Sequence, residues 1–197
     1  MKQLITLLLI MCLTGVFSLS YAQSEYLMME KGKVFKYKYG NVYGPGLVDE
    51  GTILKVEVLN ATKTIEGKEY LTVQSSTGSD GNFSVDLTSY TRVSGNGSVY
   101  TRLEDEINKE TVMLRAPLKV GDSWEEKGFG GETASKKIIG FDGSITTPTA
   151  TYSDCLVLET QQNGTQSKSY FKKNIGMVAT TVTMGGEEKL FIYLLED

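Results

Sequence analysis

Apolar and polar residues alternate with a period of two along much of the chain, a pattern typical of strands that bury one face. Phe35, Tyr37 and Tyr39 alternate with Lys36 and Lys38, so we predict that the aromatic rings face a core and the lysines face solvent. The further runs of this kind are Leu54–Val58, Tyr70–Val73, Phe83–Leu87, Val99–Leu103, Thr111–Leu114 and Ser135–Phe141. Turn-forming residues separate these runs, and we predict a strand in each.

The last third of the chain, from Tyr152 to Leu195, predicts a series of paired antiparallel strands. Its apolar-rich runs are Cys155–Leu158, Ser167–Lys172, Met177–Thr183 and Leu190–Leu195, and its turn signals are Asn163–Gly164, Lys173–Gly176 and Gly185–Gly186. Asn-Gly tolerates the positive φ angles of a tight primed turn, which makes the first reversal the clearest. The nearly continuous apolar run at the end suits a strand covered on both faces or a strand at a dimer contact, and a short buried helix is the alternative.

Few helices are expected, because the chain after residue 22 has no long run with an apolar stripe at helical spacing; the best helical candidate is 104–114. We therefore predict an all-β fold: a single antiparallel meander sheet, curled into a half-barrel, barrel or sandwich, with about 10 to 12 strands. Gly40–Gly46 predicts a surface loop, and Asp142–Gly143 predicts a turn. Residues 23–30 are expected to dock on the domain through a few apolar side chains.

The N-terminus predicts export. Lys2 precedes the apolar stretch Leu4–Phe17, and Ser20 and Ala22 supply the small residues of a cleavage site. We predict a signal peptide at 1–22, cleaved after Ala22, and a single β domain at 23–197 that is secreted or periplasmic. A membrane anchor is disfavoured by the polar residues in this stretch. A lipoprotein anchored at Cys12 is disfavoured because Ile10 and Met11 precede that cysteine.

Charge and cysteine content exclude several classes of protein. The whole chain carries 20 Lys and Arg against 24 Asp and Glu, a formal charge of −4, and loss of Lys2 makes the mature chain more negative. Such a chain is a poor candidate for nucleic acid or for an anionic membrane. Only Cys155 remains after cleavage, so neither an intrachain disulfide nor a cysteine-based zinc site is possible, and the thiol is expected to be a small buried hydrophobe.

No catalytic or cofactor motif is present. The chain contains no histidine, which excludes Ser-His-Asp and Cys-His arrangements and removes the commonest metal ligand. A phosphate-binding loop and a nucleophile elbow are also absent. A pair of carboxylates for glycoside hydrolysis stays open, because the two acids need only meet in space. We expect no enzyme activity, no cofactor and no metal.

Three segments resemble a group of uncharacterised secreted or periplasmic β proteins of Gram-negative bacteria. Pro117–Trp124 fits P-L-x-V-G-x-x-W, Tyr152–Leu158 resembles a segment that ends x-D-C-L-x-V, and Tyr170–Val178 fits Y-[YF]-x(4)-G-x-V. The resemblance covers roughly 112–195 and departs from the group at 172–175, where a Pro-Gly turn is commoner. It implies a relation to the half-barrel of the lipoprotein carriers LolA and LolB, an open sheet around an apolar cavity, and it implies no activity.

Three functions follow as hypotheses. The first is a non-catalytic domain that binds an apolar or amphipathic ligand, or a partner protein, on a concave sheet face lined by aromatic rings. The candidate binding residues are Trp124, Tyr170, Phe171, Tyr37 and Tyr39, although core packing is the simpler role for Trp124. The second is a structural or adaptor module of the cell envelope that pairs through the apolar last strand. The third is a carboxylate-dependent glycoside hydrolase.

Overall fold

The fold of the chain is taken from a computed structural model, which describes residues 24–40, 51–127 and 132–195. These ranges contain one short helix, α1 (Ser24–Leu27), and twelve strands: β1 (Val34–Tyr39), β2 (Ile53–Ile65), β3 (Lys68–Ser79), β4 (Asn82–Val93), β5 (Val99–Leu103), β6 (Thr111–Leu114), β7 (Ser123–Lys127), β8 (Thr133–Thr146), β9 (Thr151–Gln162), β10 (Thr165–Lys172), β11 (Gly176–Met184) and β12 (Glu187–Leu194). The predicted signal peptide at 1–22 and most of the predicted loop at 40–46 lie outside the described residues.

All twelve described strands belong to one sheet in the order β6-β5-β4-β3-β2-β1-β12-β11-β10-β9-β8-β7. Every pair of neighbours is antiparallel, and β12 returns to pair with β1. The sheet curls into a nearly closed barrel, so the predicted all-β meander of about 10 to 12 strands is confirmed. The short strands β6 and β7 are the two edges of the sheet, and they face each other at the seam of the barrel.

Tight turns fix the register of several hairpins. Asn163 and Gly164 have φ angles of 52° and 75°, and the flanking residues Gln162 and Thr165 are paired. Two successive positive φ values define the primed turn that matches the twist of antiparallel strands. The predicted Asn-Gly hairpin is therefore confirmed. The strand predicted at Thr111–Leu114 is confirmed as β6. The alternative helix at 104–114 is wrong, because residues 104–110 form turns and irregular structure.

One face of the sheet is concave, and its side chains meet across the barrel. Val99 and Leu114, near one edge, belong to the same buried cluster as Ile138, Leu156 and Leu158, near the other edge. Strands so far apart in the sheet can contribute to one cluster only if the sheet curls toward that face. The strand registers place these residues on a single continuous face, which we call the concave face.

Helix α1 packs against one end of the barrel. Leu27 joins the buried cluster of the concave face, the Asn174 backbone N–H donates to the Glu25 carbonyl at 2.7 Å, and Lys173 pairs with Glu25 at 2.7 Å. The expected docking of this segment is confirmed for residues 24–30. We call this end of the barrel the helix-capped end.

The opposite, convex face carries a second apolar cluster, which the far part of the β8–β9 hairpin covers. The cluster includes Cys155, Val157, Tyr170 and Tyr193. Repeated register shifts bend β8 between Ile138 and Ile145, and the hairpin turn reaches β12, where Thr149 Oγ1 donates to the Leu194 carbonyl at 3.0 Å. The turn predicted at Asp142–Gly143 is wrong, because β-bulges bend the strand there without reversing it.

At Gly143 the bent strand β8 comes into close contact with β9, and we expect alanine to be poorly tolerated at this position. A Cβ at Gly143 would lie 2.2 Å from Val157 Cγ2, so Gly143→Ala should reduce the free energy of unfolding by about 1–3 kcal/mol in urea denaturation. Gly95→Ala is the matched control, since a Cβ there meets nothing within 4 Å. In the double variant Gly143→Ala/Val157→Ala, the loss should be smaller than the sum of the single losses; additive losses would contradict the contact.

Strand β12 lies in the interior of the sheet. It pairs with β1 on one side and β11 on the other, and its neighbours Ile192 and Tyr193 are both buried although they face opposite sides. The prediction of a strand covered on both faces is confirmed. The prediction of a dimer or adaptor contact formed by backbone pairing is wrong for Ile192 and Tyr193, because these residues pair with β1 on one side and with β11 on the other.

Candidate functional site

Four of the five predicted binding residues share the concave face. The strand registers, taken from one strand to the next, place four side chains on this face: Tyr37 and Tyr39 of β1, Phe171 of β10 and Trp124 of β7. Trp124, Tyr37 and Phe171 are buried, with exposed fractions of 7%, 3% and 6%, whereas Tyr39 is half-buried. These side chains come together on one face, and three of them pack in its core.

Two of these aromatic residues make specific contacts. Trp124 Nε1 donates to the Val112 carbonyl of β6 at 3.2 Å, so the indole bridges the two edges at the barrel seam. Tyr37 Oη donates to the Met177 carbonyl at 3.1 Å, and burial raises the pKa of the Tyr37 hydroxyl far above its usual range. Trp124 and Tyr37 thus stabilise the curvature of the sheet.

Tyr170 lies on the convex face, apart from the other four. Its hydroxyl donates to Glu188 Oε1 at 3.1 Å, and Glu188 also accepts from Thr181 at 2.7 Å and pairs with Lys168 at 2.5 Å. Burial, and then the charge of Glu188, raise the pKa of Tyr170 to about 12. Tyr170 and Phe171 are adjacent on one strand, so their side chains point to opposite faces.

The concave face changes from apolar to polar along four neighbouring strands. On β9 the inward residues run from Leu156 and Leu158 to Thr160, and on β10 they run from Phe171 to Ser169 and Ser167. Thr160 pairs with Ser167 in register, and Ser169 pairs with Thr180 of β11. We call Thr160, Ser167, Ser169 and Thr180 the hydroxyl wall. All four are half-buried, and the Ser169 and Thr180 hydroxyl oxygens are 3.1 Å apart.

An ion pair borders the hydroxyl wall. Lys136 pairs with Thr160 in the sheet, and its Nζ lies 2.6 Å from Glu126 Oε1, with exposed side-chain fractions of 15% and 13%. Glu126 Oε2 is buried and has no hydrogen-bond partner in the structure. The same step from apolar to polar thus occurs on β7, from Trp124 to Glu126, and on β8, from Ile138 to Lys136.

Half-buried apolar side chains lie on the concave face of β1 and β2, away from the hydroxyl wall. They are Phe35 and Tyr39 of β1 and Leu54 and Val56 of β2, and we call them the apolar strip. The Tyr39 ring meets the Phe191 ring edge-on, with centroids 6.1 Å apart. The apolar strip and the hydroxyl wall together present both kinds of surface toward the interior of the barrel. A ligand with an apolar part and a hydrogen-bonding part matches that arrangement.

A buried ionic cluster lies on the convex face of β3 to β5, and the sequence reasoning missed it. Tyr70 is fully buried; its hydroxyl donates to Glu110 and accepts from Arg92 Nε at 3.2 Å and Arg102 Nε at 3.0 Å. Arg92 also binds Glu110 through two 2.8 Å hydrogen bonds, and Arg102 binds Glu66 at 2.5 Å. The available signal was the tripeptide Tyr-Thr-Arg, which occurs at 90–92 and again at 100–102.

The cluster holds Glu110 ionised. Burial alone would raise the pKa of this carboxyl, but the hydrogen bonds from Arg92 and Tyr70, with the charges of Arg92 and Lys68, lower it to about 2. Because each member has its partners, the cluster pins residues 104–110 to the sheet. It offers no free group for chemistry on a substrate.

Neither a known protein-family model nor a curated protein matches the chain. Two solved structures are similar in fold. One, described as a "putative exported protein with YmcC-like fold" from Bacteroides fragilis, has 11% identity and a TM-score of 0.49, with 84% of this chain and 94% of that chain covered. The other, a "putative lipoprotein" from Parabacteroides distasonis, has 13% identity and a TM-score of 0.45, with 86% and 96% covered.

Two further structural features bear on chemistry and location. Among the described residues, no cluster of three or more cysteine or acidic side chains has the geometry to hold a metal ion. Within the same ranges, no helix has the length and apolar character needed to span a membrane.

Proposed function

We propose that the chain is an exported, non-catalytic domain of the cell envelope that binds an amphipathic ligand on its concave face. The observation that carries this proposal is the division of that face into an apolar strip and a hydroxyl wall. An alkyl chain would lie along Phe35, Leu54 and Val56, and a polar head would hydrogen-bond to the hydroxyl wall beside Lys136 and Glu126. Polar groups placed around an apolar surface orient such a ligand.

The state of the buried acids supports a non-catalytic role. A glycosidase needs one carboxylic acid with a raised pKa to protonate the leaving group. Glu110 has a lowered pKa and is held by Arg92, and Glu126 is paired with Lys136. A sequence-based alternative, the glycoside hydrolase, gains no support from these two acids.

Ligand binding can be measured through Trp124, the only tryptophan in the chain. We expect doxyl-labelled stearic acid to quench the fluorescence of the mature chain, residues 23–197, with a saturable dependence on concentration. Ser167→Phe should weaken this binding at least about tenfold, because a ring would fill the space beside the hydroxyl wall. Gln161→Phe is the control, since Gln161 is exposed on the convex face of the adjacent strand. Quenching that does not saturate, or equal weakening by both variants, would contradict the proposal.

Export has a separate measurement. Expressed with residues 1–22 in a Gram-negative host, the protein should be recovered outside the cytoplasm with Gln23 as its first residue, as read by intact-mass spectrometry. Ala22→Arg should leave the leader attached, because a long charged residue does not fit where signal cleavage needs a small one. Recovery of uncleaved wild-type protein in the cytoplasm would contradict the export part of the proposal and leave ligand binding untouched.

A further inference from the structure

The helix-capped end of the barrel gathers exposed apolar side chains. Because all neighbouring strands are antiparallel, odd-numbered strands begin and even-numbered strands end here. Val34 starts β1, Val93 ends β4, Val120 lies in the loop before β7, and Ile175 lies in the turn between β10 and β11. All four are exposed. Single exposed apolar residues are ordinary on protein surfaces, but these four are distributed around one end of the barrel.

Basic side chains accompany them. Lys31 and Lys33 precede β1, and Arg115 and Lys119 lie in the loop between β6 and β7; all four are exposed. Exposed acids also occur at this end: Glu30 precedes Lys31, Glu66 lies in the turn between β2 and β3, where it pairs with Arg102, and Glu69 follows that turn. Lys173 pairs with Glu25, and Lys172 lies 3.7 Å from the exposed Asp154. The opposite end exposes mainly acids, which include Asp80, Glu104, Asp105, Glu132 and Glu187. Among the described residues, exposed basic side chains are therefore in excess at the helix-capped end and exposed acids are in excess at the opposite end, although Lys109 and Lys127 are exposed there.

The chain enters the domain at the same end. The described residues begin at Ser24 in α1, which packs at the helix-capped end. The apolar stretch at 4–17 precedes α1 by only a few residues in the sequence. A precursor held in a membrane by that stretch would therefore present the helix-capped end, with its apolar and basic side chains, to the bilayer.

We propose that the helix-capped end is a docking surface for a phospholipid bilayer with anionic headgroups. Val120, Ile175 and the other apolar side chains at this end enter the interfacial region, and the lysines and Arg115 contact the headgroups. The acidic opposite end is repelled by the same surface, which fixes the orientation of the barrel. This docking is peripheral and reversible, and it goes beyond the proposed ligand binding because it uses different residues.

Vesicle flotation of the mature chain, residues 23–197, tests the proposal. We expect binding to vesicles of phosphatidylcholine and phosphatidylglycerol at 7:3 in low salt, with weaker binding in 0.5 M NaCl because salt screens exposed charges. Val120→Ser/Ile175→Ser should lower the partition constant at least about fivefold, since two apolar side chains no longer leave water. Lys31→Gln/Lys119→Gln should weaken binding to these vesicles and leave the weak binding to pure phosphatidylcholine unchanged.

The matched control is Val85→Ser on β4. Val85 is 54% exposed and Val120 is 53% exposed, but Val85 does not lie at the helix-capped end, so this variant should bind as the wild type does. Equal loss in Val85→Ser, equal binding to pure phosphatidylcholine, or no vesicle binding would each overturn the proposal. Concentration-dependent dimers in analytical ultracentrifugation that Val120→Ser/Ile175→Ser abolishes, without vesicle binding, would assign this end instead to contact between two copies.

Discussion

Trp124→Ala should reduce the free energy of unfolding by about 3–5 kcal/mol, as measured by urea denaturation followed by circular dichroism. The substitution removes a buried ring from the cluster that joins β5 and β6 to β8 and β9. It also removes the hydrogen bond to Val112, a direct side-chain link between the two edges. The barrel should therefore loosen at its seam before the rest of the sheet unfolds.

Trp124→Phe separates the two contributions. This variant keeps an apolar ring but loses the indole N–H. The decrease in the free energy of unfolding should therefore be only about 1–2 kcal/mol, because the Val112 carbonyl can still hydrogen-bond to solvent. Hydrogen exchange at the amides of Thr111–Leu114 should accelerate in both variants. Equal stability of Trp124→Ala and the wild type would show that the seam does not depend on this residue.

The strand pattern was predictable because its signals are local. Tyr37 and its neighbours alternate with lysines, and Asn163–Gly164 specifies a primed turn from two adjacent residues, so neither prediction needs knowledge of distant contacts. The position of β12 within the sheet, by contrast, is not predictable from local sequence. Leu190–Leu195 is apolar whether the strand is at an edge or in the interior, and only its pairing with β1, far away in the sequence, decides between them.

The errors have equally specific causes. Asp142–Gly143 has the composition of a turn, but Gly143 serves a close approach to Val157 that only the folded hairpin reveals. The prediction that Tyr170 and Phe171 share one binding surface conflicts with the period-two pattern itself, because adjacent residues of a strand face opposite sides of the sheet. The ionic cluster was hidden because Glu110 and Arg92 are distant in sequence, and a charge acquires a buried partner only when the sheet has formed.

Glu110→Gln should destabilise the protein by about 3 kcal/mol at pH 6, because it leaves Arg92 and the buried Arg102 without their shared carboxylate. The pKa of Glu110 in the folded protein is about 2, below the ordinary glutamate value of 4.5. The ionised carboxylate therefore stabilises the fold fully above about pH 4.5, and this contribution is lost as the pH falls toward 2. The stability difference between wild type and Glu110→Gln should shrink by about 2 kcal/mol, allowing for solvent screening, between pH 6 and pH 2.5.

The other carboxylates titrate in both the wild type and Glu110→Gln, so their effects cancel when the two are compared at each pH. The change in the difference between the two free energies of unfolding therefore reports on Glu110. Glu57→Gln is the control, because the Lys55–Glu57 pair is more exposed and should contribute no more than about 0.5 kcal/mol. A stability difference that stays constant from pH 6 to pH 2.5 would mean that Glu110 titrates alike in the folded and unfolded chains. The cluster would then act through shape and hydrogen bonding alone, and its charges would not be what holds residues 104–110 on the sheet.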